Sequence, residues 1–297
     1  MPFAPQPAQV VVRVAGTTSN LGPGFDCLGL ALDLHNLVRL TPDESGSPHS
    51  MADEAARRFF ETSGLRSHPF RWEISGGVPV SRGLGSSVTL RLGILAGLNA
   101  LHGEPLSLDD LFQECSALEG HPDNAGPAVF GGFFVGGPDG SKFRFAVDPG
   151  LRLVLLIRHH EVRTEEARRV LPKQIAFADA VANTGYASAI TAAFASGNYA
   201  ALRGLLHDAL HEPYRESLNP GLRRIIAAGV EAGALGGFLS GSGSTIACLT
   251  TEAAAAGDIA AAMQTASGDQ PPASIHVATV DNTGVSWSLA PAPPAAA

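Results

Sequence analysis

An α+β fold follows from three features of the sequence. Strand-like β-branched runs and apolar helices mix along the chain without the strict β–α–β alternation of a doubly wound sheet. Two glycine-rich loops, 79–87 and 236–245, each interrupt apolar stretches. After residue 158 the texture turns mainly helical, which puts a boundary near Gly150 and predicts two packed domains, 1–150 and 151–297.

Each element has a local reason. QVVVRVAG (9–16) is β-branched and predicts a strand that runs into a turn-forming segment, TTSNLGPGFDCLG (17–29). HNLVRLT (35–41) predicts a second strand, followed by the loop PDESGSP (42–48). Ser50 with Asp53 forms a capping-box start for a helix to residue 61, and FRWEIS (70–75) predicts a strand. Residues 86–101 form a long apolar helix stopped by Gly103, and Ser107 with Asp110 starts another that ends near Glu119. Strands are predicted over 128–135, 142–147 and 151–158, then helices over 164–171, 175–195, 199–210 and 220–232, the last with Pro220 at its start. The 236–249 segment predicts a glycine-rich strand. An Ala-rich helix follows, then a final strand pair over 273–280 and 284–289, and a tail, PAPPAAA (291–297), expected to be disordered.

Composition removes several function classes. The net charge of −8 argues against a polyanion-binding surface, which needs clustered cations. Cys27, Cys115 and Cys248 are odd in number, widely spaced and without a CxxC, so neither a disulfide framework nor a zinc knuckle is expected, and a reducing cytoplasm is the natural compartment. The N-terminus lacks the basic and apolar regions of a secretory signal, and the longest aliphatic run, 151–157, falls far short of the ~20 residues that cross a bilayer. No membrane partner is expected.

The strongest motif is PVSRGLGSS (79–87), placed directly before a helix. Glycines permit close backbone approach, and a helix start offers unpaired N–H groups and the positive end of the dipole. The loop is no Walker A motif, because lysine occurs only at Lys142 and Lys173, outside every glycine loop. It also lacks the third glycine of a dinucleotide fingerprint, and no GxSxG elbow occurs. A phosphate cradle and an ordinary N-cap at Ser86 or Ser87 both fit. GGFLSGSGST (236–245) alone reads as a tight turn between packed segments.

TSNLGPGFDCLG (18–29), GLGSS (83–87) after Pro79, EGHPDNAGPAVFGG (119–132) and the late SGSGS loop (240–244) occur in an order that resembles the GHMP kinase superfamily and, within it, the homoserine kinase family, over residues 12–249. The resemblance implies a two-domain α+β fold: an N-terminal domain like ribosomal protein S5 domain 2 and a C-terminal ferredoxin-like domain. It implies transfer of the ATP γ-phosphoryl to the side-chain hydroxyl of L-homoserine, with ATP and Mg²⁺ as cofactors, and it admits a homodimer. On the ATP side it implies Pro79, Arg82, Gly83, Leu84, Gly85, Ser86 and Ser87, with Arg82 supplying the charge that a Walker lysine would give. Ser87 and a helix glutamate hold the metal, Glu119 by choice and Glu114 as the alternative. On the substrate side it implies Asn20, Asp26, His121, Asn124, Thr164, Arg168 and Arg215. Arginine's fork suits the substrate carboxylate and the acidic groups its ammonium. For each of these residues a bland role competes: a surface charge for the arginines, turn chemistry for Asn20 and Asp26, a helix cap for Thr164. Phosphoryl transfer asks mainly for alignment and charge neutralisation, so Asp26 and Asp123 are doubtful as bases, and Arg168 counts with them as catalytic.

The sequence departs from the family pattern at Val88-Thr89 after GLGSS, where small residues are common, and at Ser244, where proline is usual and which is therefore expected to leave its turn flexible. The adenine-side segment 42–56 matches only loosely. His207 and His211 lie four apart on an expected helix, as a zinc pair would, but no HExxH is present, and the His159-His160 pair cannot easily reach one ion. The competing functions are another GHMP kinase with a mevalonate-like or sugar substrate, against which the two arginines and Asp26 argue, and a catalytically silent metabolite binder, against which GLGSS and Glu119 argue.

Overall fold

The structure, a computed structural model, describes residues 9–43, 49–269 and 271–290. Most of the PDESGSP loop and the whole PAPPAAA tail lie outside these residues.

Strands β1 (Gln9–Asn20) and β2 (Gly24–Pro42) form a long antiparallel hairpin. Val10, Val12 and Val14 of β1 and Val38 and Leu40 of β2 are fully buried and alternate with more exposed neighbours, the period of a half-buried strand. The hairpin extends through much of the segment that reads as a loop in the sequence: Thr17 pairs with Ala31, Thr18 with Leu30, Ser19 with Gly29 and Asn20 with Gly24. Hydroxyl side chains accept extended backbone, so only residues 21–23 need to turn. Left-handed φ values at Asn20 (72°), Leu21 (46°) and Gly22 (74°) make that turn.

The first half of β2 pairs with β4 (Phe133–Gly136), which pairs with β5 (Lys142–Phe145). The second half pairs with β3 (Phe70–Gly76), and β10 (Ser286–Ala290) closes the far edge on β1. The two C-terminal strands therefore do not pair with each other, because β9 (Ser274–Ala278) joins a different sheet.

Helices α1 (Ser50–Ser63), α2 (Ser86–Leu101), α3 (Leu108–Glu119) and α4 (Pro122–Phe130) cover this sheet. Ser107 and Asp110 make the reciprocal capping box on α3, whereas the N-cap of α1 is His49, whose amide donates to Asp53 Oδ2 at 3.2 Å. Helix α4 occupies ground read as the strand 128–135. Pro127 lies inside this helix and cannot supply an N–H to the preceding turn. The carbonyl it would have reached, that of Asp123, points at β2, where a Cβ on Gly29 would lie 1.7 Å from it.

The second sheet has the order β7 (Gly236–Leu239), β8 (Ile246–Thr250), β6 (Arg152–Ile157), β9, all antiparallel. With α8 (Leu222–Glu231) and α9 (Ala256–Ser267) this is a β-α-β-β-α-β ferredoxin-like unit. Strand β6 is apolar on both faces because both are covered. Leu153 and Leu155 join Leu28, Leu30 and Phe133 of the first sheet in a shared core, while Val154 and Leu156 pack with Ile225, Ile259 and Met263 of the helices. Between β6 and α8 run α5 (Thr164–Arg169), α6 (Phe177–Ser196) and the single-turn α7 (Glu212–Arg215). The helix expected over 199–210 is only a 3-10 turn, Tyr199–Leu202, because the Asp208 carboxylate accepts from the amides of Leu210, His211 and Glu212 and restarts the chain as α7.

Candidate active site

Three segments distant in sequence are knitted at the start of α2. The carbonyls of Arg82, Gly83 and Leu84 accept from Thr245 N (3.2 Å), Ser240 Oγ (2.6 Å) and Thr17 N (3.1 Å). Thr18 Oγ1 and Ser240 Oγ share a 2.7 Å bond, and Gly241 N donates to Ser19 O at 3.3 Å. In a trans peptide the N–H of the next residue points opposite to the carbonyl. Fixing these three carbonyls inward therefore turns the amides of Gly83, Leu84 and Gly85 away from the scaffold. They continue into the unpaired first-turn amides of α2, whose N-cap Gly85 sits at φ 71° and whose first turn carries no acid. The result is a concave array of donors suited to a polyanion. A Cβ on Gly83 would lie 2.0 Å from Ser240 O, so the late loop and the GLGSS loop fit only without a side chain there.

The other loop residues have distinct places. Leu84 is buried and anchors the loop in the shared core, Pro79 is half-buried, and Ser86 Oγ accepts from Ser81 N at 3.4 Å. Arg82 is placed differently from a phosphate-facing cation. Its guanidinium donates to the carbonyls of Arg158 (2.8 Å), His159 (2.5 Å) and Val80 (2.9 Å), clasping the loop to the end of β6. Ser244 is not the flexible link expected: it is fully buried, and its hydroxyl donates to His160 O at 2.6 Å.

Ser87 Oγ donates to Glu119 Oε2 at 2.9 Å, while Arg91 holds Oε1 at 2.7 Å. A hydroxyl and a braced carboxylate beside an anion cradle are the all-oxygen donors a hard dication such as Mg²⁺ takes, so the residues fit that ion. Glu114 is elsewhere, tying α3 to α1 through Arg58 Nε (2.6 Å) and Thr62 Oγ1 (2.8 Å).

Beyond the cradle lies a cluster of paired opposite charges. Donor atoms of Asp26, His121 and Asp123 all lie within 4.8 Å of one another. His121 Nδ1 bonds Asp123 Oδ1. Burial alone would lower the His121 pKa, but the hydrogen bond and charge of Asp123, with Asp26, outweigh it and raise it. Asn124 accepts from Thr17 Oγ1 at 2.7 Å and donates to Ser19 Oγ at 3.0 Å, and Asn20 receives Asp26 N at 3.1 Å while donating to Gly241 O at 3.2 Å. Facing them, Arg168 makes a bidentate pair with Asp26 at 2.8 and 3.0 Å. Arg215 is 2% exposed and forms no ion pair among the described residues. Its donors meet the carbonyls of Gly241 (2.9 Å) and Ala167 (3.2 Å), and burial, then the charge of Arg168, pull its pKa down to about 10, so it stays a cation. Thr164 stands apart: it is exposed and does not cap α5, whose N-cap is Arg163.

Several residues of the site escape the sequence reading. His207 and His211 are not on one helix. His207 is exposed against Tyr186, while His211 is buried with Nε2 on Gly22 O (2.9 Å) and Nδ1 facing Arg215 Nη1 (3.4 Å), so it is a neutral imidazole whose pKa burial brings down to about 4. His159 and His160 each bond a backbone carbonyl, those of Pro272 and Leu218. Arg91 joins the site unannounced, while Phe25 and Ser240 lie in the quoted motifs 18–29 and 240–244 without an assigned role; the i, i+4 spacing of His211 and Arg215 is a further local signal. Cys27 borders the carboxylates, and burial, then Asp123 and Asp26, push its thiol up to about 11, which keeps it protonated.

Residues 50–132 match the GHMP kinases N terminal domain and residues 190–269 the GHMP kinases C terminal domain. The chain is 39% identical to the homoserine kinase of Moorella thermoacetica over 255 residues, 80% of this chain and 86% of that one. It is also 39% identical to that of Microchaete diplosiphon over 278 residues, 87% and 90% of the two chains. The solved structure of homoserine kinase from Cytophaga hutchinsonii superposes with a TM-score of 0.87 at 28% identity, over 97% of this chain and all of that one.

Proposed function

The chain belongs to the homoserine kinase family of the GHMP kinases, and from that premise we propose that it phosphorylates the side-chain hydroxyl of L-homoserine with ATP. The observation that carries the substrate is Arg215: a buried arginine without an ion pair among the described residues, next to one paired with Asp26, leaves positive charge for an anionic ligand. The substrate carboxylate binds Arg215 and Arg168, and its ammonium takes the Asp26 side, where Asp123, held by His121, adds a second carboxylate. Mevalonate, a carboxylate without an ammonium, would leave the acidic set unanswered, and a sugar, with neither charge, would leave both.

The amides 83–87 receive the triphosphate, and Ser87 with Glu119 would hold Mg²⁺, which when bound neutralises charge on the phosphate oxygens. Asp123 Oδ1 is engaged by His121 and, at 3.3 Å, by Asn124, which orients the carboxylate. The residues therefore act by alignment: the two arginines fix the acceptor's far end while the α2 cradle fixes the donor. Domains 1–150 and 151–297 supply the two sides. We extend the reading to a cytoplasmic enzyme, in keeping with three free thiols and with the absence, among the described residues, of a helix long and apolar enough to cross a membrane.

Coupled ADP release tests the reading with homoserine, mevalonate, galactose and no acceptor in parallel. Homoserine alone accelerates release; equal rates with all four overturn the assignment.

A further inference from the structure

Phe25, which lies in the 18–29 motif but has no role assigned there, gathers the substrate-side cations. It follows Gly24 at the start of β2 and is half-buried. The Cζ of Arg168 lies 5.5 Å from its ring centroid and that of Arg215 5.1 Å, and the His211 ring stacks on it at 5.1 Å and 29°. Among the described residues it is the only ring carrying two guanidiniums.

Two adjacent arginines repel each other, and a second carboxylate to balance them would occupy the place an anionic ligand needs. A π face attracts both through its quadrupole and adds no formal charge, so the pair is held together without a carboxylate being spent on Arg215. The same residue precedes Asp26, whose left-handed backbone (φ 59°) and amide bond to Asn20 set where the opposing carboxylate stands. On the homoserine reading above, we propose that Phe25 is a positioning residue that sets the spacing of Arg168 and Arg215, so that both grip one α-carboxylate while Asp26 meets the ammonium. It thereby makes the site selective for α-amino acid zwitterions.

The test replaces Phe25 in the full chain with mono-, di- and trifluorophenylalanine, which keep the ring's shape while draining its negative face, and adds Phe25→Tyr and Phe25→Leu. The homoserine KM rises stepwise with fluorine number, by about tenfold across the series, while the ATP KM and kcat stay within about twofold and Tm is unmoved. Phe25→Tyr restores the wild-type KM and Phe25→Leu does not. A flat fluorine series, or an equal rise in both KM values, overturns the inference and leaves the kinase reading standing. Wild-type protein that ignores homoserine overturns both.

Discussion

Charge burial decides what individual residues do here. Glu119 and Glu114 lie on the same helix, yet one is braced by Arg91 against Ser87 and the other is spent on Arg58 and Thr62. Glu119→Gln should lower kcat/KM by about a hundredfold or more with little change in Tm. Glu114→Gln should lower Tm and leave kcat/KM within a few-fold. The reverse pattern in steady-state kinetics and thermal melts would place the metal at Glu114. Glu212 makes a different prediction. It is half-buried, its Oε1 accepts from Leu239 N at 2.7 Å, and loss of hydration first of all raises its pKa from 4.5 to about 8. Between those values the native state holds one proton more than the unfolded chain, so this group costs stability as pH rises through that window, at most about 1.4 kcal/mol per pH unit. Glu212→Gln removes the titration and should gain on wild type steadily from pH 5 to pH 8 in denaturant melts, then level off; parallel pH profiles would refute this. At this scale the sequence named Asp26, Arg168, Arg215, Ser87 and Glu119 through their motifs. It was silent on Phe25, and it offered His211 only as half of a zinc pair, because a ring contact or a buried imidazole depends on neighbours far along the chain.

The elements act through how they are tied. Arg82 lies beside the GLGSS loop and reads as its phosphate charge, but its guanidinium spans the carbonyls of residues 80, 158 and 159. A lysine can carry the charge but cannot bridge three acceptors. Arg82→Lys should therefore resemble Arg82→Ala, both with a raised ATP KM and a lower Tm; rescue of the ATP KM by lysine would restore the phosphate role. Helices α2 and α3 were legible because an apolar stretch and a capping box are local properties. Helix α4 was not, because it carries an interior proline, Pro127, and packs its Asp123 carbonyl against Gly29 of a strand nearly a hundred residues away. The helix expected after Tyr199 was lost to a carboxylate that captures three amides.

At the scale of the molecule, the strand that ends the described chain, β10, completes the sheet that β1 begins, and one hydrophobic core is shared between both sheets. Residues 1–150 alone would lack β10 and one side of that core. Expressed separately they should give no cooperative melt, whereas the full chain unfolds in one transition by calorimetry. A sharp transition for 1–150 would mean that each half folds by itself. Periodicity, caps and ordered glycine motifs, which depend on near neighbours, were enough to establish the α+β class, the helix behind the cradle and the kinase family. The tertiary structure alone decided which carbonyls of the cradle turn inward, which glutamate meets Ser87, and that two arginines from α5 and α7 converge on one aromatic ring. Those outcomes rest on contacts across tens to hundreds of residues, where burial and hydrogen-bond satisfaction outweigh any local preference.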